Sequence, residues 1–303
     1  MADLTPLLAV PNVSEGRDRT AIDVIAASWA ASEEIRLLDA HADPDHHRAV
    51  LTLAGSARSL SDALVQGARA TVSRIDVMSE RAGGLGQHPH VGAIDVLPVV
   101  YLDDTMRGAA CAEALVVGDR IGEELGIPVF LYGELTASEG KPPRTRAELR
   151  RGGRRGLAER IASGEQLPDF GPPALHPTAG ATLVAAREPL VAFNLELAPP
   201  TTVADARGIA ALIREGGAEG LPGLRAIGVA LQAGKVAQVS MNVERPLELP
   251  LVQVVQAVAR HANVTRAEIV GLAPRAALAG FPEDIPLPDF DSERQLIETA
   301  LCL

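Results

Sequence analysis

The 303-residue chain is 47% hydrophobic and 22% charged, with a formal net charge of -11 at pH 7. This is the makeup of a globular protein with enough chain for one large core or two medium ones, and it excludes disorder. The acidic balance also argues against nucleic acid as a partner, because a polyanion needs a contiguous basic field.

No apolar stretch reaches the ~18 to 20 residues that span a bilayer, and the N-terminus lacks the basic flank and apolar core of a secretion signal. No membrane association is expected, and the cytoplasm is the expected location. The two cysteines, Cys111 and Cys302, have neither the number nor the spacing of a disulfide framework or a zinc ribbon.

In chain order, short apolar runs flanked by Gly, Pro or Asp predict strands at 7–10, 35–38, 49–53, 93–102 and 129–132. Apolar residues at three- and four-residue spacing predict helices at 17–31, 59–75 and 106–125, the last burying Val116, Val117, Ile121 and Leu125. Between 139 and 173 lie Pro142-Pro143, Gly152-Gly153 and the run from Pro168 to Pro173, which stiffen and loosen the backbone in turn. A subdomain boundary is placed here, giving 1–170 and 171–303. The second half then reads as strands at 181–184 and 190–197 and a helix at 203–214. A hairpin of 226–231 with 236–243 follows, turned at Gln232-Ala233-Gly234-Lys235, then a helix at 249–262 and a strand at 264–272. Alternating strands and helices of this kind build sheets covered by helices, an α/β class. The one basic cluster, 144–160, has Arg146, Arg150, Arg151, Arg154 and Arg155 along one side of a helix weakened by Gly152-Gly153. A solvated face is the favoured reading; a contribution to holding an anionic substrate is the other.

Five of the seven histidines fall in two short segments: His41, His46 and His47, then His88 and His90. Imidazole is the side chain best suited to moving protons near neutral pH, so these segments are the expected seat of chemistry. The second reads Gly86-Gln87-His88-Pro89-His90-Val91-Gly92-Ala93-Ile94-Asp95-Val96. It resembles the Gly-Glu-His-Pro-Arg-Met-Gly-Ala-Leu-Asp-Val segment of the formiminotransferase family. Further matches occur in order: Val10-Pro11-Asn12-Val13-Ser14-Glu15-Gly16, Pro128-Val129-Phe130-Leu131-Tyr132-Gly133-Glu134, Pro168-Asp169-Phe170-Gly171-Pro172, Val191-Ala192-Phe193-Asn194-Leu195, Ala237-Gln238-Val239-Ser240-Met241-Asn242 and Glu268-Ile269-Val270-Gly271-Leu272-Ala273-Pro274. Ordered matches along nearly the whole chain carry far more weight than one short motif.

The resemblance implies an α/β fold of the α+β sandwich type, in which two sheet-and-helix subdomains face each other across a substrate tunnel, generally within a homodimer. It implies transfer of a formimino group between N-formiminoglutamate and tetrahydrofolate, the latter as co-substrate. His88 matches the catalytic histidine, with His41, His90 and Asp39 as its expected partners. The 171–180 loop matches the folate-binding segment, with Gly171, Pro172, Thr178 and Gly180 as expected contacts. Asn12, Glu15 and Asn242 are read as polar lining or as caps and turn formers. Arg48 and Arg187 are read as carboxylate clamps or as surface ion pairs.

This chain departs from the family pattern at five places. His41 stands for Asp, His47 for Asn, Gln87 for Glu, His90 for Arg, and Ala179 for an aromatic residue. These departures support an alternative in which His41, His47, His88 and His90, with Asp43 or Asp45, bind a divalent transition metal for a different reaction. A non-catalytic ligand-binding relative is a third reading. The sequence stops at Leu303, so no fused deaminase like that of the bifunctional formiminotransferase-cyclodeaminases is expected.

Overall fold

The computed structural model describes residues 6–79, 89–231 and 236–303. It is an α/β fold that divides into two compact units, Met1–Arg187 and Glu188–Leu303.

The first unit is built on a seven-stranded sheet. Strand β3 (Arg36–Asp43) pairs with β4 (Arg48–Gly55) at one edge. The next position is shared by β1 (Leu7–Ala9) and β2 (Asn12–Val13), each antiparallel to both β4 and β5 (Ile94–Val100). The two are one strand position interrupted at Pro11, which has no N–H to give to a ladder. Beyond β5 come β7 (Thr182–Arg187) and then β6 (Val129–Leu131), both parallel to their neighbours.

Three helices, α1 (Arg19–Trp29), α2 (Ser59–Val72) and α3 (Arg107–Leu125), share one core with the sheet face carrying Leu51, Leu53, Leu97, Val99 and Val184. Helix α1 begins where the Asp18 side chain accepts from Ala21 N, and it buries Ile22, Ile25, Ala26 and Trp29, one helical stripe. Gly67 on α2 admits the Trp29 ring, since a Cβ there would lie 2.2 Å from it. In α3, Val117 and Ile121 are fully buried as expected, whereas Val116 is 45% exposed because it points away from the sheet.

The alternate residues Val96, Phe130, Leu183 and Ala185 form a second core with Leu149, Leu157 and Ile161. These come from α4 (Arg146–Arg150) and α5 (Gly153–Ala162). The arginine-rich stretch is therefore two short helices, broken where Gly152 and Gly153 take φ of 75° and 62°.

The second unit is a four-stranded antiparallel sheet in the order β11 (Val264–Val270), β8 (Val191–Leu197), β10 (Val236–Val243), β9 (Leu224–Leu231). Helices α6 (Val203–Ile213) and α7 (Leu251–Ala259) share a core with Phe193, Leu195, Val239 and Met241. The intervening Asn194, Gln238, Ser240 and Asn242 face the other way by strand alternation. The hairpin strands pair as expected, while its turn at 232–235 lies outside the described residues.

The division falls at Arg187/Glu188 rather than at 170/171. The 181–184 strand, expected to open the second half, lies in β7 and hydrogen-bonds between β5 and β6, which ties residues 171–187 to the first unit. Among the described residues no helix is long and apolar enough to cross a membrane.

Candidate active site

Register places the polar residues of the first sheet on the face opposite α1, α2 and α3. On β3, Asp39 lies across from Thr52 and His41 from Val50; on β2, Asn12 pairs with both Val50 and Val96. Asp39 and His41 are two residues apart and so share this face. Asn12 is buried and its Nδ2 donates to Val10 O at 2.8 Å, which holds the chain at the β1/β2 interruption. Glu15 Oε1 accepts from the backbone N–H of Arg17 and Asp18 at 2.7 and 3.1 Å, just ahead of α1. Gly16 follows because a Cβ there would lie 2.1 Å from Asp43 O, so this turn packs directly on the end of the β3/β4 hairpin.

That hairpin end holds the first histidine segment. Asp43 Oδ1 accepts from the backbone N–H of Asp45 and His46, the turn-forming role of an Asx residue. His46 is buried with Nε2 3.7 Å from Asp43. His47, at φ 50°, sets Nδ1 3.4 Å from both Gly16 N and Glu15 Oε1. Burial holds the His47 pKa below 6.5 against the pull of Glu15.

The second histidine segment is described from Pro89 onward; His88, with Gly86 and Gln87, lies outside the described residues. His90 Nε2 lies 3.1 Å from Arg154 Nη1. A guanidinium has no acceptor, so His90 accepts here and is the neutral, Nδ1-protonated tautomer. Immediately beyond, Val91 N donates to Asp95 Oδ1 at 3.0 Å. Asp95 is buried and ion-paired with Arg150, itself 11% exposed. Arg48 is a third member: burial lowers its pKa to about 10, Asp95 opposes the shift, and Arg150 and Arg146 add to it. Arg146 stands over the Tyr132 ring, 5.8 Å from its centroid. The favoured solvated-face reading of 146–155 thus fails for Arg150, and it holds for Arg151 and Arg155, whose ion pairs with Glu165 and Glu159 are exposed.

The 171–180 loop is clasped to the strand that follows His90. Ala93 N donates to Ala179 O at 2.8 Å and Ala181 N to Val91 O at 3.0 Å, with Gly92 and Gly180 bridged between them. Both positions require glycine: a Cβ on Gly92 would lie 1.9 Å from Ala181 O, and one on Gly180, at φ 70°, would lie 2.4 Å from Val91 O. His176 Nδ1 accepts from the backbone N–H of Thr178 and Ala179 at 3.3 and 3.0 Å, which closes the loop on itself, and burial lowers its pKa. Thr178 O accepts from Val77 N, and Ala179 is buried within the helix-side core. At the other end Gly171, at φ 79°, lets the chain approach Ile127 O, and Pro172 is exposed.

One predicted residue of the first unit lies elsewhere on the sheet. Arg187 pairs across from Val100 at the far end of β5, whereas Arg48 precedes the level of Val96 by two residues on β4. At ~3.3 Å per residue the two are about 20 Å apart along the strands, too far to grip one carboxylate. Asn242 belongs to the second unit, on β10 across from Ala192 and Arg225.

Among the described residues no group of three or more His, Cys, Asp or Glu is placed to hold a metal ion. Three of the residues named for the metal alternative have other neighbours. His47 turns to Gly16 and Glu15, His90 Nε2 is taken by Arg154, and Asp45 sits in the Asp43-capped turn. Sequence reasoning missed Asp95, Tyr132 and His176, and it named Arg146 and Arg150 only as members of a basic cluster. Asp95 and Tyr132 lie inside the matching motifs, but their isolated letters carried no sign of the ion pair or the stacking.

The description "Formiminotransferase domain, N-terminal subdomain" matches residues 7–187 and "Formiminotransferase domain" matches 192–281. The chain is 36% identical over 299 residues to glutamate formimidoyltransferase of Streptococcus pyogenes serotype M1, covering 96% of this chain and 97% of that protein. It is 34% identical over 274 residues to glutamate formimidoyltransferase of Thermoplasma acidophilum, covering 89% and 88%. The formimidoyltransferase-cyclodeaminase of Sus scrofa is 36% identical over 284 residues, 89% of this chain and 50% of that longer protein. The chain belongs to the formiminotransferase family and is a transferase.

Proposed function

We propose that this chain is a glutamate formiminotransferase, exchanging a formimino group between N-formiminoglutamate and tetrahydrofolate. The observation that carries the reading is the clasp of residues 91–93 against 179–181. It joins the loop that resembles the folate-binding segment to the strand that begins a few residues after His88.

In this reading a tetrahydrofolate amine attacks the formimino carbon, forming the new C–N bond as the C=N electrons move onto nitrogen. The tetrahedral adduct then collapses and the C–N bond to glutamate breaks. The attacking amine must lose a proton and the departing glutamate nitrogen must gain one. One imidazole of near-neutral pKa does both, and His88 is assigned that role. Asp39 and His41, together on the polar sheet face, are assigned to orient His88 and share its proton traffic. His90, its Nε2 held by Arg154, is assigned to shape the site rather than to transfer protons.

Folate is assigned to Gly171, Pro172, Thr178 and Gly180, and the amino-acid substrate to Arg48 with Asn12 and Glu15 near it. Arg187 and Asn242 are assigned to outer polar contacts. A cytoplasmic homodimer completes the proposal. The test is release of glutamate from N-formiminoglutamate by the purified chain. Release that requires tetrahydrofolate and is matched by formiminated folate is expected; release without folate, or none, contradicts the assignment.

A further inference from the structure

The turn from His176 to Gly180 is built around an imidazole. At its neck His176 N donates to Gly180 O at 2.9 Å and Gly180 N to His176 O at 3.1 Å, with Gly180 at φ 70°. Within it, His176 Nδ1 accepts from Ala179 N at 3.0 Å and Thr178 N at 3.3 Å, and Thr178 Oγ1 lies 3.3 Å from the same nitrogen. A ring nitrogen that accepts from backbone N–H carries no proton, so the ring is neutral and its proton is on Nε2.

The carbonyls of this turn are bound from outside it. Thr178 O accepts from Val77 N at 2.9 Å and Ala179 O from Ala93 N at 2.8 Å. The peptide between Thr178 and Ala179 is therefore pinned at both ends, by the imidazole through its N–H and by Val77 through its C=O. The described elements packed on the turn bring Asp76, His90, Asp95 and Arg154, and each is engaged. Asp76 Oδ1 accepts from Met78 N and Ser79 N, His90 meets Arg154, and Asp95 pairs with Arg150. At the start of the loop Asp169 pairs with Arg144. Burial is the cause that lowers the His176 pKa, so the ring is an acceptor at pH 7.5. A proton on Nδ1 would set a third donor against the two N–H groups, and the turn would lose its internal bonds.

We propose that His176 is a positioning residue for folate: its neutral imidazole holds Thr178 and Gly180 in the shape that binds tetrahydrofolate, and the hold is lost when the ring takes a proton. This inference rests on the formiminotransferase reading for the identity of the ligand. Two acid effects are then separate. Protonation of His88 slows transfer, whereas protonation of His176 weakens folate binding.

The decisive variants are His176→Ala and His176→Asn in the full chain, because the Asn side-chain oxygen takes the place of Nδ1 as an acceptor and does not titrate. Tetrahydrofolate binding is measured by calorimetry and amide exchange by mass spectrometry on the ligand-free protein. At pH 7.5, His176→Ala leaves two backbone donors without their acceptor, and tetrahydrofolate binding is expected to weaken about tenfold or more, with the KM for N-formiminoglutamate within about twofold. His176→Asn recovers most of that loss. The His176 share of the affinity lost between pH 7.5 and 5.5 is at most about tenfold, the linkage limit for a ring of pKa 6.5 in the open turn. His176→Asn is expected to escape at least about threefold of the loss. Exchange over 176–181 quickens in His176→Ala and slows again in His176→Asn, while 191–197 stays protected as in wild type; this keeps opening of the turn distinct from misfolding. Unchanged exchange in His176→Ala overturns the proposal, and so does an acid loss of affinity equal in wild type and His176→Asn. Wild-type protein that binds no tetrahydrofolate overturns the folate role together with the formiminotransferase reading. Binding that is indifferent to His176 overturns the role of His176 alone.

Discussion

Asp95 shows how much rests on one side chain. Its carboxylate holds Val91 N, pairs with Arg150 and offsets Arg48, so it joins strand β5, helix α4 and strand β4. Asp95→Asn keeps the shape and removes the charge that pairs with Arg150. Breaking a buried pair from one side costs about 3 to 5 kcal/mol, and denaturant melts are expected to show a loss of that size. A loss below about 1 kcal/mol would contradict the buried pair. His47 and His176 set the pH dependence. Burial lowers both pKa values, so below the unfolded value of 6.5 the unfolded chain binds more protons than the folded one. Stability is therefore expected to be full above pH 6.5 and to fall as pH drops below it, levelling once both states are protonated. Melts at pH 7.5 and 5.0 measure this, and His176→Asn, which keeps an acceptor for the loop, removes its share of the loss. The histidines were legible as residues of interest because imidazole is rare and chemically distinctive. The Arg150–Asp95 pair was not, because 55 positions separate its members and only the packing of α4 on the sheet brings them together.

Among elements, those with strong periodicity were legible to within a few residues: α3, α6, β8 and both strands of the hairpin formed where the pattern placed them. Strand β2 was not, since two residues carry no period. The arginine stretch read as one face of a weakened helix, and the structure breaks it at the glycine pair the sequence displays. Least legible was the clasp between 91–93 and 179–181, a contact between backbones that leaves no mark beyond two glycines. Gly92→Ala tests it directly. The added Cβ would meet the Ala181 and Ala179 carbonyl oxygens at 1.9 and 2.7 Å, so a loss of about 3 kcal/mol or more is expected, with weaker tetrahydrofolate binding. A fully stable Gly92→Ala protein would mean that the strands do not approach so closely.

For the whole molecule, ordered motifs from Val10 to Pro274 carried the family, and the matches to both halves of the formiminotransferase domain agree. The unit boundary was misplaced because proline and glycine density marks flexible chain, not the end of a sheet. The 168–173 segment is dense in both, yet β7 returns to the first sheet a few residues later. Formimino transfer as proposed depends on proton transfer by His88. Its most direct test is single-turnover transfer by His88→Ala beside wild type, with tetrahydrofolate affinity measured on the same samples. A rate lower by about 10² to 10⁴ is expected, with folate affinity little changed. A variant that transfers at the wild-type rate would contradict it.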